Sequence, residues 1–187
     1  ESRIQRLKDL EAMCKEYRFA LPPFCDFTPE QWKTIGHEYD EVRDCMLGWD
    51  ITDFGLGNFD KFGFSLITIR NGNRAMADKY PKVYAEKLLY LKEGQWAANH
   101  FHWYKTEDII NRGGGNVLIR VYNSLENEEI DYDSDVTVHT DGRTYTVPVY
   151  DWLTYRFVDN VKEQGGFHTE YDKTKIEFSL FKLHNRW

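Results

Sequence analysis

Two imidazoles two residues apart, His100 and His102, are followed five residues later by the carboxylate of Glu107 in the run His100-Phe101-His102-Trp103-Tyr104-Lys105-Thr106-Glu107. Successive side chains of an extended strand point to opposite faces, so both histidines project to one side while Phe101 points away. Both rings can then reach a single ion, and after a turn or strand bend Glu107 can return to the same place. Ligands of this kind suit Mn, Fe, Zn, Co or Ni rather than Ca or Mg. A fourth ligand has a candidate in Gly165-Gly166-Phe167-His168, a glycine turn followed by a histidine about to enter a strand. His184, near the end of a strand-like segment, competes for that position. The plain alternative is a pair of exposed or core histidines with no ion between them.

These groups need a scaffold of strands. Residues 1–18 place Ile4, Leu7, Leu10, Ala12 and Cys14 at near-helical spacing and predict an amphipathic helix, which Leu21-Pro22-Pro23-Phe24 ends. Thr28-Pro29-Glu30-Gln31 reads as a cap with proline in the first turn of a second helix, running through Trp32 to about Cys45. After Asp50 the pattern turns to strands: Gly63–Arg70, Tyr84–Leu91, Gln95–Trp103, Asn116–Tyr122, Val136–His139, Arg143–Val147, Tyr150–Val161 and Lys175–Leu183. Asp141-Gly142 marks a tight hairpin, and residues 124–135 read as a solvated acidic loop. The fold class expected is mainly β: a mostly antiparallel jelly-roll barrel with helices at the front, residues 1–48 forming a helical extension of one domain spanning 1–187. A jelly roll buries many short strands and leaves a cavity at its mouth.

Composition narrows the partners. The chain has 187 residues, 16% of them aromatic, and a net charge of −7 without a basic cluster, which argues against nucleic acid or an anionic membrane surface. No apolar run is long enough for a membrane span, and no secretory signal opens the chain, although it starts at Glu1 and not at Met. Cys14, Cys25 and Cys45 make an odd set with no C-x-x-C, a poor disulfide framework that points to a reducing cytoplasm.

Several separated strings carry a family resemblance: Pro22-Pro23-Phe24; Glu41-Val42-Arg43-Asp44-Cys45-Met46-Leu47-Gly48-Trp49-Asp50-Ile51-Thr52-Asp53-Phe54-Gly55; Thr68-Ile69-Arg70-Asn71-Gly72; and His100-Phe101-His102-Trp103 with Lys105, Glu107-Asp108-Ile109-Ile110-Asn111-Arg112 and Gly113-Gly114. Over about residues 20–147 the chain resembles the D-lyxose isomerase family of cupins. The resemblance implies a divalent metal, manganese first, held by His100, His102, Glu107 and His168. It implies that Lys87 and Lys105 line a monosaccharide pocket, that a late-strand carboxylate, best matched by Glu177, moves a proton, and that the protein is a homodimer. After Pro148 the pattern departs: Gln164-Gly165-Gly166 stands where the family has a proline-glycine turn.

The expected activity is therefore a metal-dependent aldose–ketose isomerisation, D-lyxose to D-xylulose first and D-mannose to D-fructose second, through a cis-enediol. Glu177 and Lys105 are the expected catalytic groups, and Lys87, Lys105, Trp103 and Asp50 the expected sugar contacts. Glu170 and Asp172 stand next in line as the base. Each has a plain counterpart: Lys87 as an edge-strand lysine facing water, Lys105 as a partner for Glu107 or Asp108, Asp50 and Asp53 as turn caps before the first strand, Trp49 and Trp103 as core. Arg112-Gly113-Gly114-Gly115 reads as a glycine-rich turn, with no Gly-Lys-Ser/Thr to make it a phosphate loop. His37 and His139 read as surface residues. The alternatives are a non-catalytic sugar-binding cupin and an iron cupin oxygenase, since three histidines and a glutamate also suit O₂ chemistry. Turnover without O₂ would separate the last.

Overall fold

Ser2 starts the first helix, α1 (Arg3–Glu16), by accepting the Gln5 N–H on its hydroxyl at 3.2 Å. The computed structural model describes residues 2–100, 108–140, 142–151, 153–155 and 176–182. Leu10 and Cys14 are buried along α1 with Met13 packed beside them, whereas Ile4 and Ala12, expected on that stripe, are exposed. The helix ends on Arg18 at φ 53, with Phe19 N–H on the Cys14 carbonyl at 2.8 Å and Arg18 N–H on Lys15 at 3.2 Å. This is a Schellman cap made without glycine. A 3₁₀ turn, Pro23–Asp26, then buries Phe24 and Cys25.

Thr28 and Gln31 form the expected capping box at the head of α2 (Pro29–Trp32). Continuation to Cys45 is corrected: α2 stops after one turn, and a 3₁₀ turn at His37–Tyr39 leads into a separate helix, α3 (Asp40–Asp44). The Arg43 guanidinium donates to the carbonyls of Ile35 and Gly36 at 2.9 and 3.0 Å, so the break satisfies carbonyls that a continuous helix would have bonded itself. Phe27, Trp32 and Tyr39 pack edge to face around it. The α3 cap repeats that of α1, with Met46 at φ 54 and Leu47 N–H on Val42 at 2.9 Å.

The described residues fall into two compact units, the first comprising Glu1–Phe59 with Gly63–Leu91. Its antiparallel sheet has the order β1 (Gly48–Thr52), β2 (Phe64–Arg70), β3 (Glu86–Tyr90). β1 was not expected as a strand, so Asp50 lies within the sheet and not on a loop before it. Ile67 and Ile69 of β2 join Leu10, Cys14, Phe24 and Cys25 in one core, against which Trp49, Leu88 and Tyr90 pack. The Trp49 indole donates to the Cys25 carbonyl at 2.8 Å, which makes Trp49 a core residue. Asn71 and Asn73 donate to the carbonyls of Cys45 and Asp44, pinning the end of α3 to the β2–β3 connection.

The second unit comprises Asp60–Phe62 and residues 92–187. Its main sheet runs β4 (Trp96–His100), β10 (Ile176–Lys182), β5 (Val117–Ser124), β6 (Ile130–Asp131), with β9 (Leu153–Tyr155) also paired to β5. β7 (Val136–Thr140) and β8 (Arg143–Val147) form the expected hairpin, Gly142 supplying φ 77. One departure matters for the site: β10 pairs parallel to both β4 and β5, in an arrangement expected to be mostly antiparallel. The fold class is as expected, mainly β with short amino-terminal helices. The sheets among the described residues are open, consistent with a cupin-like fold whose barrel is not closed.

Candidate active site

His100 ends β4, half-buried, and its ring is oriented by its own strand: Nδ1 lies 2.8 Å from the Ala98 carbonyl. A carbonyl only accepts, so this bond puts the proton on Nδ1 and leaves Nε2 as the basic nitrogen of the neutral ring. Fixing the tautomer of one nitrogen by a backbone carbonyl is how a metal-binding histidine is commonly prepared. The donor chemistry at His100 therefore fits a divalent transition metal.

β10 lies beside this strand. Glu177 is in register with Trp96 of β4 on one side and with Leu118 of β5 on the other, and Leu180 is in register with His100. Ala97–His100 of β4 thus stands against Phe178–Leu180 of β10, four residues against three, a bulge that alters the local pleat. The backbone places Glu177 in the middle of the sheet whose edge carries His100. His102, Trp103, Lys105, Glu107 and His168 lie outside the described residues, as do Phe101, Phe167, Glu170, Asp172 and His184. Among the described residues no three His, Cys, Asp or Glu side chains form a metal-sized cluster.

Asp50 and Lys87 belong to the first unit. Asp50 pairs with Leu66 and Lys87 with Thr68 across β2, so both project from one face of that sheet. Asp50 is exposed, 3.7 Å from the Arg3 guanidinium, and accepts the Ile51 N–H at 2.8 Å. Lys87 is exposed on the edge strand. Asp53 caps a turn, accepting from Gly55 and Gly57 N–H at 2.9 and 3.0 Å.

Other groups resolve to structural roles. Asn111 closes the glycine-rich turn, accepting from Gly113 N–H at 3.2 Å and donating to the Gly115 carbonyl at 2.8 Å. His37 and His139 are exposed as expected. The three cysteines are buried and unpaired by disulfides; burial raises each thiol, that of Cys25 to about 11, so none is a ready thiolate near neutral pH. Among the described residues, no helix is long and apolar enough to cross a membrane.

A mainly β domain with a tautomer-fixed histidine on a sheet edge defines a class of fold and not a reaction. The model of the family described as D-lyxose isomerase matches residues 2–162, and the chain belongs to that family. It is similar to a D-lyxose/D-mannose isomerase of Escherichia coli O157:H7, 48% identical over 123 residues that cover 65% of this chain and 53% of that protein. A D-lyxose/D-mannose isomerase of Serratia proteamaculans is 40% identical over 139 residues, 74% of this chain and 60% of the relative. The chain thus spans little more than half the length of these curated relatives.

Proposed function

We propose that this protein is a metal-dependent isomerase interconverting D-lyxose with D-xylulose, and D-mannose with D-fructose. Family membership is the observation that carries the reading, and the relatives' names supply the two aldoses. His100, His102, Glu107 and His168 would hold the ion, with manganese first among divalent metals; the tautomer at His100 supports the assignment. A bound divalent ion supplies Lewis-acid stabilisation of the oxyanion charge that builds as the aldose becomes a ketose.

The chain's own groups move the protons. Glu177, as carboxylate, takes the proton from C2, and the C2 electron pair forms the C1–C2 double bond of a cis-enediol while O1 gains a proton. Glu177 then returns its proton to C1 on the same face as the O2 proton departs and the C2 carbonyl forms. Lys105 exchanges the hydroxyl proton between O2 and O1. A positioned acid or base of this type contributes about 10²–10⁴ in rate. Trp103 and Lys105 hold the sugar. A homodimer in the cytoplasm completes the reading.

The test is metal content by mass spectrometry on chelator-stripped, manganese-reloaded protein, with ketose formation from D-lyxose measured in the same sample. Stoichiometric metal with turnover is expected, His102→Ala should lose the metal, and Glu177→Gln should keep it and lose turnover. Metal retained in His102→Ala removes that ligand. Full turnover in Glu177→Gln moves the base elsewhere, and metal without turnover in the unsubstituted chain leaves a binding protein.

A further inference from the structure

Three tyrosines of the second unit meet, and no part of the isomerase reading uses them. Tyr122 lies on β5, Tyr132 follows β6, and Tyr150 sits in the turn 148–151, which the Asp151 N–H closes on the Pro148 carbonyl at 3.0 Å. Val121 of β5 is in register with Leu180, and Leu180 with His100, so the next residue, Tyr122, projects to the sheet face opposite His100. The trio therefore stands apart from the face proposed to hold metal and sugar.

Polar bonds fix the loops that carry these rings. The Asn123 side-chain amide donates to the Ser134 hydroxyl and the Asp135 carbonyl at 3.1 and 3.0 Å, and the Asp135 carboxylate accepts the Val149 N–H at 3.0 Å. Tyr150 is held at φ 73, a left-handed backbone that a residue other than glycine adopts at a cost. The rings of Tyr132 and Tyr150 are parallel to within 10°, their centres 6.1 Å apart, and Tyr122 meets both edge to face at 5.6 and 6.3 Å. Tyr122 is buried, yet Tyr132 and Tyr150 stay 49% and 53% exposed. Two aromatic rings are thus positioned and left open to solvent.

Tyr132 also walls a cavity of about 570 Å³ whose other polar lining is Glu128, Glu129, Asp131 and Asp133. Every charged group on that wall is acidic, and among the described residues no lysine or arginine pairs with any of the four. The negative face of an aromatic ring and carboxylates without a counter-ion attract one kind of ligand, a cation with an apolar surface. We infer that this cavity binds an organic cation of the quaternary ammonium class, the Tyr132 ring, braced by Tyr122 and Tyr150, lying against its alkyl groups and the carboxylates supplying the counter-charge. A small hydrated ion such as sodium would use the carboxylates alone. A trimethylammonium group uses the ring as well, because its methyl groups share the positive charge and shed water readily. The inference is independent of the isomerase reading.

The experiment uses the full chain loaded with manganese and reads the binding of labelled choline by equilibrium dialysis, at low and at high salt. Its controls are the neutral isostere of choline, in which tert-butyl replaces trimethylammonium, and the variants Tyr132→Leu, Tyr132→Phe and Asp133→Asn. Saturable binding is expected, weaker by about fivefold or more for the isostere and for Tyr132→Leu, and within about twofold for Tyr132→Phe. Asp133→Asn should weaken binding about twofold at low salt and by less at high salt. D-lyxose should not displace choline. The inference is overturned by an absence of saturable binding, by equal affinity for the isostere, or by unchanged affinity in a Tyr132→Leu variant that keeps the circular dichroism of the unsubstituted chain. Displacement by D-lyxose also overturns it, since the cation would then occupy the sugar site. Should Tyr132→Leu fail to fold, the isostere and the exposed Asp133 carry the test: no loss of affinity with either overturns the inference.

Discussion

Replacing Leu10 with alanine tests whether α1 is held by packing and not by its own helical preference. Alanine is at least as good a helix former as leucine, so α1 loses nothing in propensity. Leu10 is fully buried in the core shared with Ile67 and Ile69 of β2, and the substitution removes three carbons from it. At about 0.8 kcal/mol per buried CH₂ the transfer loss is ~2.4 kcal/mol, and a cavity that stays open carries the total toward ~5 kcal/mol. Ile4 provides the internal control: it lies on the same helix but is 68% exposed, and Ile4→Ala should cost under ~0.5 kcal/mol. Urea unfolding followed by tryptophan fluorescence reads both, since Trp49 packs against the same core. With an m-value of roughly 2 kcal/mol/M, Leu10→Ala should lower the midpoint by 1 M or more. A shift no larger than that of Ile4→Ala would mean that α1 does not pack on this sheet.

Two further perturbations follow from the first unit. The Lys79 ammonium and Tyr80 hydroxyl donate to the Asp44 carboxylate at 2.8 and 2.7 Å and hold its carboxyl below the usual range. The folded state therefore binds fewer protons there, and the stabilisation is complete above the ordinary carboxylate pKa near ~4 and lost as pH falls through the lower folded value; an Asp44→Asn variant whose stability gap from the unsubstituted chain is the same at pH 2 and pH 6 by circular dichroism would refute the assignment. At Gly63, a Cβ would lie 2.2 Å from the Thr52 carbonyl oxygen at φ 141, so Gly63→Ala should cost at least ~2 kcal/mol. Gly57, at φ 73 with open space around it, should cost only about 1 kcal/mol when replaced by alanine, and equal midpoints for the two variants would count against the close approach at Gly63.

What the sequence disclosed was what local chemistry decides. The Thr28–Gln31 capping box, the Asp141-Gly142 hairpin and the alternation of β2, β5, β7 and β8 all depend on neighbours within a few residues. The helix ends were harder to read because Arg18 and Met46, and not glycine, take the left-handed positions that close α1 and α3. The break after Trp32 escaped notice because its compensation is remote: Arg43 reaches back to the carbonyls that the break exposes. β1 was missed because its exposed and half-buried residues lack the alternation that marks a strand facing one core.

The candidate site divides along the same line. The strand that carries His100 is legible because a strand's two-residue period is local, and the Ala98 carbonyl that fixes the His100 tautomer lies only two residues away. The place of Glu177 is not local. It follows from β10 entering parallel between β4 and β5, a pairing that no residue of β10 announces by itself. Residues that would bind an ion through a short motif can thus be found by reading along the chain, whereas the neighbours of a late strand become visible only once the strands are laid side by side.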